Sequence, residues 1–106
     1  MVMTDEIMEI KDKIVSAVPT EKIYLFGSYA YGTPNEDSDY DFYVVIPDGS
    51  MRPLDAISNI YRSMKRGRRT PIDILAGTVE TFERRSKGPS LERVIARDGV
   101  ILYERK

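Results

Sequence analysis

Two apolar runs constrain this chain more than any other feature: Ile23-Tyr24-Leu25-Phe26 and, beyond a polar link, Tyr40 to Ile46. The first run is nearly continuous in apolar residues, the pattern of a strand buried on both faces. The link is short for the crossover that parallel neighbours require, so the two strands are predicted to run antiparallel. A third run, Thr70 to Gly77, follows a stretch with helical spacing. It completes a β-α-β unit, which should be parallel and right-handed. Val100-Ile101-Leu102-Tyr103 reads as a last strand. The alternation predicts an α/β (α+β) sandwich built on a mixed sheet of about four strands with helices packed against it.

The helices carry their own punctuation. Ile7, Ile10, Ile14, Val15 and Val18 recur at helical spacing from about Thr4 to Val18. Thr4 is the expected N-cap, Asp5 and Glu6 suit the positive end of the dipole, and Pro19 stops the helix. Leu54, Ile57, Ile60, Tyr61 and Met64 mark the apolar face of a second helix, with Pro53 in its first turn and Gly67 at its end. Two shorter helices are predicted over Thr78 to Arg85 and Pro89 to Arg97. In the second, Ser90 is the cap, Leu91, Val94 and Ile95 face inward, and Gly99 holds the C′ position.

Composition removes whole classes of chemistry. A chain of 106 residues is expected to form one domain over residues 1–106. It has no cysteine and no histidine, which excludes a disulfide framework, thiolate metal sites and a Ser-His-Asp triad. A general base must then be a carboxylate, a lysine or a tyrosine. No apolar run is long enough to span a bilayer, and the acidic start is not that of a signal peptide, so a cytoplasmic protein without a membrane partner is expected. The net charge of −1 gives no strong nucleic-acid signal.

What remains is concentrated around Gly27-Ser28 and Asp39-Tyr40-Asp41. Gly27-Ser28 ends the first strand and can open a helix, whose backbone N–H groups, with the Ser28 hydroxyl, make an anion site. Side chains alternate along a strand, so Asp39 and Asp41 are predicted to share a face. Two such carboxylates repel unless a hard divalent cation lies between them. Asp73 stands among Ile72, Ile74 and Leu75, a costly place for a carboxylate without a partner or metal. If the third strand lies beside the second, Asp73 joins Asp39 and Asp41. A phosphate cradle near a metal-binding carboxylate pair points to nucleotide phosphate chemistry.

Gly27-Ser28, ten residues, then Asp39-Tyr40-Asp41, with a lone Asp73 on a later strand, resembles the nucleotidyltransferase fold of the DNA polymerase beta superfamily. Within it the chain is similar to minimal nucleotidyltransferase (MNT) domains over essentially its whole length, and the Gly99-to-Glu104 ending fits them as well. The resemblance implies that Asp39, Asp41 and Asp73 hold two Mg²⁺ ions and that Asp73 serves or orients the base. It implies that Gly27 and Ser28 hold the terminal phosphates of a nucleoside triphosphate, expected to be ATP. The acceptor hydroxyl would then attack the α-phosphate. Such domains often carry arginine where this chain has Tyr31, which removes a cation that could contact phosphate or carboxylate. They are similar to antitoxins whose partner is a helical HEPN protein with a tyrosine acceptor. With little chain beyond the catalytic sheet, the missing walls are expected from a second copy or another protein. A second reading is a binding module that neutralises such a partner by contact, with weak or no catalysis.

Other polar features read more simply. Asp37 and Asp48 sit in turn contexts. The basic run Lys65-Arg66-Gly67-Arg68-Arg69 is expected to be a solvated helix end, with a triphosphate or RNA contact as the alternative. Tyr29, Tyr31, Tyr40 and Tyr43 are expected to gather near the site, either on a base or partner or in the core.

Overall fold

The computed structural model describes residues 3–64 and 70–106. In chain order the elements are α1 (Asp5–Ala17), β1 (Lys22–Phe26), α2 (Ser28–Tyr31), β2 (Tyr40–Ile46), α3 (Pro53–Ser63), β3 (Ile72–Thr78), α4 (Val79–Ser86), α5 (Leu91–Asp98) and β4 (Val100–Glu104). The sheet has four strands in the order β3-β2-β1-β4. β1 runs antiparallel to both of its neighbours, while β2 and β3 are parallel across the α3 crossover. The mixed sheet predicted from the short first link and the long second one is therefore present. Lys65 to Arg69, including the helix end expected at Gly67, lies outside the described residues.

Period-two alternation divides the core between the two faces of the sheet. Ile23 and Leu25, Phe42, Val44 and Ile46, and Ile72 and Ile74 point to the side where α1 contributes Ile7, Ile10 and Ile14 and α3 contributes Ala56 and Ile60. Tyr24, Tyr43 and Val45 point to the other side and meet Phe82 of α4 and Ile95 of α5. The strand alternation is thus read by two different helical layers, as a two-sided sheet requires. Thr4 caps α1 as expected, its hydroxyl accepting from the Ile7 N–H at 3.1 Å. The same hydroxyl meets the Tyr40 hydroxyl at 3.1 Å, tying the start of the helix to the start of β2.

Three residues predicted on the apolar helix faces are exposed: Leu54, Leu91 and Tyr61, the last 39% exposed with its hydroxyl accepting from the Ile74 N–H at 3.1 Å. Leu54 is 76% exposed, because the buried stripe of α3 runs through Ala56 and Ile60 and leaves the first turn projecting past the sheet. Leu91 is 45% exposed, because α5 buries Glu92 and Ile95 instead. The Glu92 carboxylate accepts from the Tyr43 hydroxyl at 3.0 Å and from Arg85 Nε at 3.0 Å. Burial pushes Glu92 up, but the Arg85 and Tyr43 hydrogen bonds outweigh it and hold the carboxyl below its ordinary value. Gly77 makes room for this network: a Cβ there would sit 2.4 Å from the Tyr43 hydroxyl. Tyr43→Phe removes one of two partners of a buried carboxylate and is expected to lower stability by about 1–2 kcal/mol in urea unfolding, with Phe82 packing retained. An unchanged midpoint would show the network to be dispensable.

Gly99, predicted at the C′ position, is the C-cap of α5 with φ −71. Its role is steric. A Cβ there would lie 2.6 Å from the Ile95 carbonyl oxygen and 3.3 Å from that of Leu25, so only glycine lets α5 turn into β4 against β1.

Candidate active site

One row of residues crosses the sheet at the C-terminal end of β1. Phe26 pairs with Asp41, and Asp41 pairs in parallel register with Asp73. Paired strands lie about 5 Å apart, so the two carboxylates leave adjacent strands side by side. Asp41 shares a face with Tyr43 and Val45, the face that α4 and α5 cover farther along. At this end the cover is missing: Asp73 is exposed and Asp41 is half-buried. The apolar neighbours of Asp73 therefore do not make it a buried charge, since Ile72 and Ile74 turn to the opposite face.

The turn after β1 closes over this row. Gly27 has φ 76 and ψ −160, a combination reserved for glycine. A Cβ added to it would fall 2.1 Å from Asp41 Oδ2, so the backbone of the turn lies directly against the carboxylate. Ser28 then opens α2, a single turn held by Ala30 and Tyr31 N–H groups donating to the Gly27 carbonyl at 3.1 Å. Gly32, at φ 81, ends it. Gly27 is thereby beside Asp41, with Ser28 next in the chain, and the first N–H groups of such a turn have no partner within it.

Asp39 immediately precedes the strand that carries Asp41. β2 begins at Tyr40, so strand alternation does not fix the direction of Asp39, which is exposed. Its charge still reaches Asp41. The Asp41 carboxyl is pushed up to about 6, by burial first and then by the charges of Asp73 and Asp39. Among the described residues no three acidic side chains are gathered as a ready-made metal cage. The donor set suits Mg²⁺, which is usually held by one or two carboxylates together with substrate phosphates. The proton affinity that Asp73 and Asp39 confer on Asp41 marks a place where a cation would relieve repulsion.

The tyrosines do not gather here. Tyr40 turns to the α1 face and packs on Tyr29, ring centroids 4.5 Å apart. Tyr43 is buried against Glu92 and Phe82. Only Tyr31, 48% exposed at the end of α2, stays on the surface next to the site. This division follows from the alternation that begins at Tyr40 and was open to view in the sequence. A separate hollow of about 280 Å³, lined by Lys22, Val45, Phe82, Glu104 and Arg105 among others, lies at the opposite end of β1. Ion pairs from Lys22 to Glu104 and Arg105 to Glu21 bridge its rim.

Residues 7–102 match the sequence profile of the nucleotidyltransferase domain. No curated protein matches the chain. Among solved structures, a protein of Sulfolobus solfataricus classed as a candidate nucleotidyltransferase superposes with a TM-score of 0.65 at 22% identity, over 93% of this chain and 78% of that one. A chain of a toxin–antitoxin determined with AMP-PNP gives 0.65 at 21% identity, over 97% and 76% of the two chains. A mutant of the toxin–antitoxin MntA-HpeT gives 0.61 at 16% identity, over 92% and 72%. At these identities the likeness speaks for the fold, a four-stranded mixed sheet with helices on both sides.

Proposed function

The chain belongs to the nucleotidyltransferase domain family, and from that premise we propose a Mg²⁺-dependent enzyme that moves a nucleoside monophosphate from a nucleoside triphosphate to a hydroxyl. The observation that carries this reading is the Asp41–Asp73 pair with the Gly27 turn packed on Asp41. Asp41 and Asp73, with Asp39 beside them, would hold the metal. When bound, Mg²⁺ would supply charge neutralisation for the phosphates and for the leaving pyrophosphate. Gly27 and Ser28 orient the phosphate chain with the N–H groups that open α2. Asp73, exposed at the rim, accepts or directs the proton of the acceptor hydroxyl. The hydroxyl oxygen forms its bond to the α-phosphorus as the α–β bridging bond breaks, and that electron pair leaves with pyrophosphate.

ATP is the favoured donor in this reading, since a structural neighbour was determined with AMP-PNP. The favoured acceptor is a tyrosine of a HEPN-type partner, so that the protein acts in the cytoplasm as an antitoxin. Two toxin–antitoxin neighbours support the pairing with a toxin. Among the described residues no helix is long and apolar enough to cross a membrane. A non-catalytic partner that neutralises by contact is the second reading, supported by the same toxin–antitoxin neighbours.

Label transfer separates the two. Protein, Mg²⁺ and each α-labelled nucleoside triphosphate are incubated with lysate of the source cells. A labelled band is expected with wild type, strongest with ATP, and lost with EDTA. A folded protein that captures a partner yet labels nothing with any nucleotide would leave only the contact reading.

A further inference from the structure

We propose that Arg97, in the last turn of α5, is the side chain that receives the polyphosphate of the nucleotide, an assignment that rests on the nucleotidyltransferase reading and deepens it. The sheet register brings the end of α5, the helix that carries Arg97, next to the end of β1. Val100 pairs with Leu25, and the next residue of β1, Phe26, pairs with Asp41. A Cβ on Gly99 would lie 3.3 Å from the Leu25 carbonyl oxygen. The residues that lead into β4 therefore flank the row Phe26-Asp41-Asp73 on the side away from Asp73. α2 and α5 both pack on β1, so the turn that Ser28 opens and the helix end that carries Arg97 share one strand. The Arg97 guanidinium is held above its ordinary value by Asp98 first, and the Tyr31 hydroxyl at the end of α2 adds to the effect.

The site calls for such a cation. Asp39, Asp41 and Asp73 present negative charge to an incoming polyanion, which approaches only where positive charge compensates. Among the described residues, three basic side chains are committed elsewhere. Lys22 and Arg105 form ion pairs at the opposite end of β1, and Arg85 is bound to the buried Glu92. The Arg97 side chain is 67% exposed, and its partner is the adjacent Asp98, 2.8 Å away and itself 42% exposed. An exposed pair of this kind contributes almost nothing, so a phosphate displaces it readily. The planar guanidinium then offers phosphate two parallel N–H donors.

Calorimetric titration of ATP and of AMP into the whole protein with Mg²⁺ tests the assignment. Arg97→Gln is expected to weaken ATP about tenfold, the effect of one charge-assisted contact, and AMP less than twofold. Arg97→Lys should fall between the two, because it restores charge without the fork. Asp98→Asn, which releases Arg97, should bind ATP at least as tightly as wild type. Thermal unfolding of Arg97→Gln is expected to match wild type. Equal ATP affinity in Arg97→Gln and wild type would overturn the assignment, and so would an equal loss for ATP and AMP. Wild type that binds no nucleoside triphosphate would overturn the nucleotidyltransferase reading itself, and this assignment with it.

Discussion

Asp41→Asn is expected to lose transfer by at least about a thousandfold, the scale on which a preorganised charge at the reacting phosphates acts, while making the metal-free protein more stable at pH 8. The second half follows from linkage. Burial, then Asp73 and Asp39, push the Asp41 carboxyl up to about 6, so the folded chain holds this proton more tightly than the unfolded one. Stability from this group is full below the ordinary aspartate range and is lost as pH rises through 6. Above that pH the folded state carries an ionised carboxylate that it disfavours. Asparagine removes the penalty, by about 1–2 kcal/mol after allowance for solvent at a half-open site. In EDTA, the melting temperature of the variant should exceed that of wild type at pH 8, and the two should converge toward pH 4. Mg²⁺ should raise the wild-type value and leave the variant unmoved. A variant less stable than wild type at pH 8 would mean that Asp41 is held by contacts other than the repulsion described.

Gly27→Ala carries the second large effect. The substitution places a methyl where Asp41 Oδ2 lies, in a backbone conformation that only glycine adopts without strain. The strain costs about 1–3 kcal/mol, and relieving the overlap moves the turn or the carboxylate. A shift of about 1 Å at a reacting group can cost a hundredfold in rate, so transfer is expected to fall by about that factor or more. Gly49→Ala is the matched control. Gly49 has φ +75, yet a Cβ there meets nothing within 4 Å, so a smaller stability loss and no change in transfer are expected. In an Asp41→Ala background the Gly27→Ala cost should shrink, because the carboxylate it collides with is gone. Full additivity of the two changes would show that the turn does not press on Asp41.

The architecture and much of the row were legible before the fold, for identifiable reasons. Link lengths predicted the strand directions, antiparallel for β1 and β2 and parallel for β2 and β3. Alternation then separated Tyr40 from Asp41 and Asp73 from Ile72. Legibility failed where position depends on how a helix rotates against the sheet. Leu91 and Leu54 match the apolar spacing of their helices, but each lies off the stripe that the sheet selects. Glu92 was invisible as a core residue because its partners, Tyr43 and Arg85, come from β2 and α4. Arg97 required the β1–β4 register, which no local pattern encodes.

The place of β3 at the edge of the sheet has a consequence for selectivity. Asp73 lies on that outermost strand and is exposed, so under the proposed function an acceptor would approach Asp73 at the border of the sheet, with no wall beside it among the described residues. Bulk is then no obstacle: a hydroxyl carried by a folded polypeptide reaches the rim as readily as one on a small alcohol. Discrimination among acceptors falls to how long each is retained beside β3. A small alcohol gains no residence time from an open border, whereas a macromolecule held by its own surface gains it at every encounter.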